Sequence, residues 1–282
     1  MTSPIPSWLA LLVFAAVFTT MFSLGLMLGR EQIAAAWQRR AVLAASLFAV
    51  WVPVPVAAVI CVKLFGIKGV VAAGILLMAI SPGAPVSLRR AIEAGGNAAF
   101  APALHLAIVT LAVVTVPVSL TILAAIFGKD LEISPMEVAR QVFVAQLLPL
   151  GLGAAVRALR PAAASSLEQR LTRMTNLLLV ALVLALVVVL WPLLAKVGWT
   201  PFVAGIGLTA LALLFGAACA GRDAPARPVS AVATAMRNPG LALVIATVNK
   251  LPSEVVASVF AYALGLVAVV TAFVAWQGRR AR

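Results

Sequence analysis

Charged residues are scarce in this sequence. Only 10% of its 282 residues are Asp, Glu, Lys or Arg, 64% are apolar, and the mean hydropathy is +1.14. A soluble domain carries roughly one quarter charged residues, so this composition excludes that class. The apolar runs are continuous and lack the alternation of a lipid-facing barrel. They therefore predict an all-α integral membrane protein that lies in a lipid bilayer.

Carboxylates, histidine and cysteine are also few: eight Asp and Glu residues, one His and two Cys. The carboxylates lie in loops or at the ends of apolar runs, which excludes a carboxylate proton relay through the membrane. Cys61 and Cys219 cannot form a metal site by themselves. No HExxH motif, paired carboxylate or Walker loop is present. We therefore expect neither an enzyme nor an ATP-driven pump, and no cofactor.

The apolar runs predict nine membrane spans with short loops, and the basic residues between them predict the orientation. The spans are 7–28, 41–62, 69–88, 98–127, 137–158, 172–195, 199–220, 228–249 and 252–277. The arginines outside the spans all fall on one set of alternating loops, whereas the other set holds only lysines. Positive loops face the cytoplasm, so we expect a multi-pass protein of the bacterial inner membrane with its N-terminus outside and its C-terminus inside. The net charge of +13 is thus explained by orientation rather than by nucleic-acid binding.

Two predicted spans are interrupted by a Pro-Gly pair at matching places. Pro82 and Pro239 lie 157 residues apart, and a shift by this offset also superposes the neighbouring spans. An odd number of membrane crossings separates each span from its counterpart, so the two halves have opposite topology. This predicts two inverted repeats, about 7–127 and about 137–277, within one transmembrane domain. Inverted repeats with paired broken helices are typical of secondary transporters that bind substrate near the bilayer midplane.

Proline removes a backbone donor inside a helix, so both interruptions should open the helix and expose carbonyls to a protein-lined cavity. A simple proline kink is the alternative interpretation at each one. The candidate substrate residues of this crossover are Ser81, Pro82, Gly83, Pro85, Ser87, Arg237, Asn238, Pro239 and Gly240.

Two ionisable side chains lie inside predicted spans near this crossover. Arg237 is deep in its span, where a charge is costly, so it needs carbonyl acceptors or an anionic substrate. His105 is the one side chain of the spans that titrates near neutral pH. It is either a structural donor or a candidate proton carrier.

Three stretches resemble the bile acid:sodium symporter family. They are Thr20 to Leu28, Ser81 to Ser87 with Gly96 and Asn97, and Met236 to Ala242. The resemblance implies a core domain and a panel domain that move against each other, with the two interrupted helices crossing in the core. Family members usually have ten spans, and this chain corresponds to that set without the first span.

The resemblance also implies two sodium sites built from oxygen ligands, and most of these positions differ here. Ser87 is retained as a sodium-ligand position. Where the family has other ligands, this chain has Leu88, Ala101, His105, Ala233, Arg237 and an apolar residue near Val50. We therefore expect no functional sodium site, with Arg237 standing where the cation's charge would be. The expected function is the transport of a small organic anion with weak or no sodium coupling; a non-transporting membrane sensor or assembly protein is the alternative.

Overall fold

The computed structural model describes residues 6–29, 34, 37–127 and 134–280, and within these ranges the regular structure is helical, with no strand. The helices are α1 (Ser7–Gly25), α2 (Arg40–Trp51), α3 (Pro53–Leu64), α4 (Gly69–Ala79), α5 (Val86–Glu93), α6 (Phe100–Phe127), α7 (Pro135–Val142), a π-helical turn (Phe143–Leu147), α8 (Leu148–Leu159), α9 (Pro161–Val197), α10 (Thr200–Cys219), α11 (Arg227–Ala235), α12 (Pro239–Val248) and α13 (Ser253–Arg280).

Eight segments of the described chain are long and apolar enough to cross a membrane, which confirms the predicted all-α membrane fold. They are Ser7–Gly25, Arg40–Leu64, Phe100–Phe127, Pro135–Leu159, Pro161–Val197, Thr200–Cys219, Arg227–Val248 and Ser253–Arg279. The remaining predicted span, 69–88, is not one continuous helix. It consists of the 11-residue α4, a break, and the 8-residue α5. Pro82 and Pro85 lack the N–H groups that would continue the helix.

The second span, Arg40–Leu64, contains a kink that we did not predict. It bends at Val52, where α2 ends and α3 begins, with φ −111° and ψ −66°. Pro53 removes the donor that would pair with the carbonyl four residues earlier, so the helix ladder is interrupted at this turn. The carbonyl of Val50, two residues before the kink, accepts a hydrogen bond from Arg237.

Helix α1 and helix α8 form a tightly packed pair. Gly25 and Gly153 lie face to face, and a Cβ atom on either would collide with the backbone of the other helix. Small residues of this kind allow membrane helices to approach closely. Helix α9 packs against both α1 and α8, so these three helices form one packed unit.

A second packed unit is built on α10 and α13 in the same way. Gly205 and Gly265 bring these two helices into backbone contact, while Gly216 brings α10 against α11. Gly74 of α4 abuts Ser258 of α13. Both interrupted spans are therefore held by close glycine contacts to α10 and α13.

The two units meet where α9 packs on α13 and where α1 packs on α12. Helix α1 packs on α12 at Val17, which lies against Gly240. From Thr20 onward, α1 borders an open cleft. The predicted division into two inverted repeats, and into core and panel domains, stays a prediction.

Candidate functional site

The first break, Ser81 to Ala84, is a buried extended segment between α4 and α5. The backbone N–H of Ser81 donates to Met78, and its hydroxyl donates to the carbonyl of Leu77 at 2.7 Å. Gly83 has φ +81°, a conformation that glycine adopts without steric cost. Pro85 and Ser87 follow at the start of α5, so the predicted residues of this half lie together.

The second break, Met236 to Asn238, separates α11 from α12. Pro239 and Gly240 form the first turn of α12. The side chain of Asn238 caps this helix, because its Oδ1 accepts from the N–H of Leu241 at 3.1 Å. Asparagine is among the preferred residues at this position.

The two breaks contact each other directly. The backbone N–H of Asn238 donates to the carbonyl of Ser81 at 2.7 Å, and its Nδ2 donates to the carbonyl of Gly83 at 3.1 Å. Carbonyls that the first break frees are thus satisfied by donors from the second. Only burial in protein makes such irregular backbone tolerable at membrane depth.

Arg237, the residue before Asn238, is 1% exposed. Its Nη2 donates to the carbonyls of Val50 and Thr234, each at 2.9 Å. Nε and Nη1 have no hydrogen-bond partner among the described residues. The phenol of Tyr262 lies close enough for an electrostatic interaction with the guanidinium. The arginine therefore bridges the kink of the second span to the end of α11.

His105 of α6 faces the start of α5. Its Nδ1 lies 3.4 Å from the hydroxyl of Ser87, a long hydrogen bond, and its Nε2 has no partner in the described chain. The side chain is 5% exposed. The structure therefore joins His105 to Ser87, whereas sequence reasoning treated the two residues separately.

A cleft of about 580 Å³ opens between α1, α5 and α9, next to the first break. Its polar lining residues are Thr20, Ser23, Arg89, Arg90, Glu93, Glu168, Thr172, Thr175 and Asn176. Sequence reasoning did not assign this set to a site, and of its candidate substrate residues only Pro85 lines the cleft. The polar spacing of Thr172, Thr175 and Asn176 on one helix face was the available signal.

The cleft ends at a small void of about 10 Å³, to which His105 and Leu150 contribute. Leu24, Met27 and Leu88 line both spaces, so the void continues the cleft inward. Another cavity of about 410 Å³ lies at the turn between α3 and α4 and contains none of the predicted site residues. The cleft beside α5 is therefore the candidate substrate site.

Comparison with protein families gives one match. The model of the sodium bile acid symporter family matches residues 14–203, which is more than half of the chain and includes the first break and the cleft. A search of curated proteins finds no match. The chain belongs to the sodium bile acid symporter family.

Proposed function

We propose that this protein is a secondary transporter that carries a small organic anion by alternating access, with weak or no coupling to sodium. Its family consists of transporters, and the observation that carries the proposal is the cleft between α1, α5 and α9. A concave site of about 300–1,000 Å³ with a few convergent polar groups suits a small molecule, and this cleft is within that range.

Two neighbouring arginines at the cleft offer donors to an anion. Arg89 and Arg90 share one carboxylate: Nε of Arg89 donates to Glu93 Oε1 at 2.8 Å, and Nη1 of Arg90 donates to Oε2 at 3.1 Å. The two guanidinium groups share this one carboxylate and keep spare donors, while Glu168 on α9 supplies the second negative charge of the cleft. Guanidinium groups bind carboxylates through paired hydrogen bonds, so a substrate carboxylate fits here.

The sodium sites that the family implies are a poor fit to this chain. Sodium is a hard cation that needs several oxygen ligands. At the retained position the Ser87 hydroxyl faces the His105 ring, and at the other the Val50 carbonyl accepts from Arg237. Leu88, Ala101 and Ala233 offer no side-chain oxygen. These contacts support the proposal that the chain does not hold two sodium ions at the positions the family implies.

The orientation derived from the loop charges decides which side of the membrane the cleft faces. With its N-terminus outside, the cleft opens at the arginine-rich end and faces the cytoplasm of a bacterial cell. Labelling of single cysteines from either side of right-side-out vesicles tests this orientation.

The deciding experiment is counterflow of labelled anions in proteoliposomes. We expect exchange of at least one of taurocholate, benzoate and succinate, at the same rate in sodium and in N-methylglucamine buffer. A rate that needs sodium contradicts the proposed coupling. Stabilisation by an anion without counterflow would favour the non-transporting alternative.

Two arginine variants locate the site. Arg90→Gln should raise KM by about tenfold, which is the loss of one charge-assisted hydrogen bond. Arg157→Gln is the matched control, because Arg157 binds Ser165 away from the cleft and should leave KM unchanged. An equal effect of both variants would argue against the cleft as the substrate site.

A further inference from the structure

Gln146 is a buried amide without a partner. Its side chain is 0% exposed, and neither Oε1 nor Nε2 has a hydrogen-bond partner among the described residues. A buried amide in this state is unfavourable, and an apolar side chain of similar shape would be more stable. Its presence therefore calls for an explanation other than packing.

The backbone at Gln146 is also irregular. The residue lies in the π-helical turn Phe143–Leu147, and π-helical turns within α-helices are frequent at functional sites. This turn packs against α1 on one side and α6 on the other. Gln146 thus lies where the α1, α8 and α9 unit meets the rest of the molecule.

The span that carries Gln146 also reaches the inner end of the cleft. The cleft narrows into the void lined by His105 and Leu150. Leu150 follows Gln146 by four residues, about one helical turn or 6 Å along the axis, and both are buried. Gln146 therefore lies about one helical turn from a residue that lines the void.

Beyond Gln146, α12 is joined to both α7 and α1. Gln141 of α7 and Asn249 at the end of α12 form a reciprocal amide pair, with nitrogen-to-oxygen distances of 3.3 and 2.9 Å. Gly240 of α12 contacts Val17 of α1. Gln146 lies between this closed end and the open cleft, so separation of the two units would expose its amide to a substrate.

We propose that Gln146 is a specificity-determining residue that hydrogen-bonds the hydroxyl group of a hydroxylated organic acid. This inference rests on the proposed function of the cleft. A primary amide both donates and accepts, which matches a hydroxyl group, while the arginines of the cleft bind the carboxylate. A site built to hydrogen-bond a substrate hydroxyl discriminates strongly against the analogue that lacks it.

The test is Gln146→Met, which keeps the volume of the side chain and removes the amide. Counterflow and thermal-shift binding are measured with two matched pairs: 4-hydroxybenzoate with benzoate, and 3-hydroxybutyrate with butyrate. We expect the wild type to prefer the hydroxylated acid of at least one pair. In the variant, KM for that acid should rise about tenfold, with no change for its partner. Gln277→Met, at the far end of α13, should leave both values unchanged.

Thermal unfolding gives a readout that does not depend on transport. Gln146→Met should have the same Tm as the wild type or a higher one, because the unpartnered amide is removed. A lower Tm, or an equal loss for both acids of a pair, would overturn the inference. The wild type could bind the hydroxylated acid without any counterflow, and the variant could lose that binding. This result would refute the transport function but support the role of Gln146.

Discussion

The two interrupted helices share a Pro-Gly pair, yet they contribute opposite chemistry. The first break supplies acceptors, the carbonyls of Ser81 and Gly83. The second supplies donors, the backbone and side-chain N–H groups of Asn238. Each break leaves polar groups that lipid cannot satisfy, and the pairing removes both deficits at once. The two Pro-Gly breaks are therefore complementary rather than alike.

The glycines of the two pairs also differ in purpose. Gly83 has a positive φ of +81° and is glycine for conformational reasons. Gly240 lies in the first turn of α12, and a Cβ atom there would come within 2.5 Å of Val17. One glycine permits a backbone conformation, and the other permits close approach to α1.

The largest expected effect is from removing the donor side chain of the second break. Asn238→Ala eliminates the bond to Gly83 and the cap of α12, and should lower the free energy of unfolding by about 2–4 kcal/mol. The measurement is unfolding in mixed detergent micelles. Asn97→Ala is the control, because Asn97 caps α6 at an exposed site and should cost about 1 kcal/mol. Equal costs would show that the contact between the breaks contributes little.

The contrast between the two glycines gives the next prediction. Gly240→Ala should cost about 1–3 kcal/mol by overpacking, and Val17→Ala in the same protein should restore part of it. Gly83→Ala should cost about 1–2 kcal/mol because of its left-handed backbone. A Cβ atom at position 83 would lie 3.2 Å from the side chain of Val109, and Val109→Ala should not restore stability. If the valine-to-alanine change restores stability to both glycine variants, or to neither, the proposed difference between Gly83 and Gly240 is wrong.

A smaller effect is expected at Ser81, whose hydroxyl is the donor to Leu77 while its N–H bonds Met78. Ser81→Ala leaves the Leu77 carbonyl without this donor and should cost about 1 kcal/mol. Thr115→Ala removes the same type of bond, to Leu111, from an exposed position within α6, and should cost less than about 0.5 kcal/mol. The difference between the two unfolding free energies measures how strongly the first break depends on its hydroxyl.

The smallest effect is expected at the far end of α12. A double-mutant cycle of Gln141→Ala and Asn249→Ala should give a coupling energy near 0.6 kcal/mol, typical of hydrogen bonds between membrane helices. The two single variants should also increase labelling of nearby engineered cysteines from the closed end. Zero coupling with unchanged labelling would show that this amide pair does not hold the end closed.

Much of the fold could be predicted from the sequence because apolar composition decides it. Continuous apolar runs have no stable state in water, so the membrane helices and their approximate bounds follow from composition. The kink at Val52 was missed although Pro53 and Pro55 are visible, because a proline near the middle of a span does not by itself show whether the helix bends. The sequence predicted that the 69–88 span is interrupted. It did not predict that the span forms two short helices.

The site was predicted only in part. Local chemistry identified the residues of the two breaks and the buried Arg237. The cleft was missed because it is formed by α1, α5 and α9, which are far apart in the sequence. Gln146 was also missed, because one amide side chain within an apolar run gives no periodic signal.

By itself, the sequence determined that this protein lies in a lipid bilayer, that it crosses the bilayer as helices, and where two of those helices are interrupted. Each of these follows from the properties of neighbouring residues along the chain. Only the tertiary structure decided which freed carbonyl meets which donor, where Arg237 finds its acceptors, and which helices enclose the cleft. These are contacts between distant residues, and they depend on how closely the glycine faces allow the helices to pack.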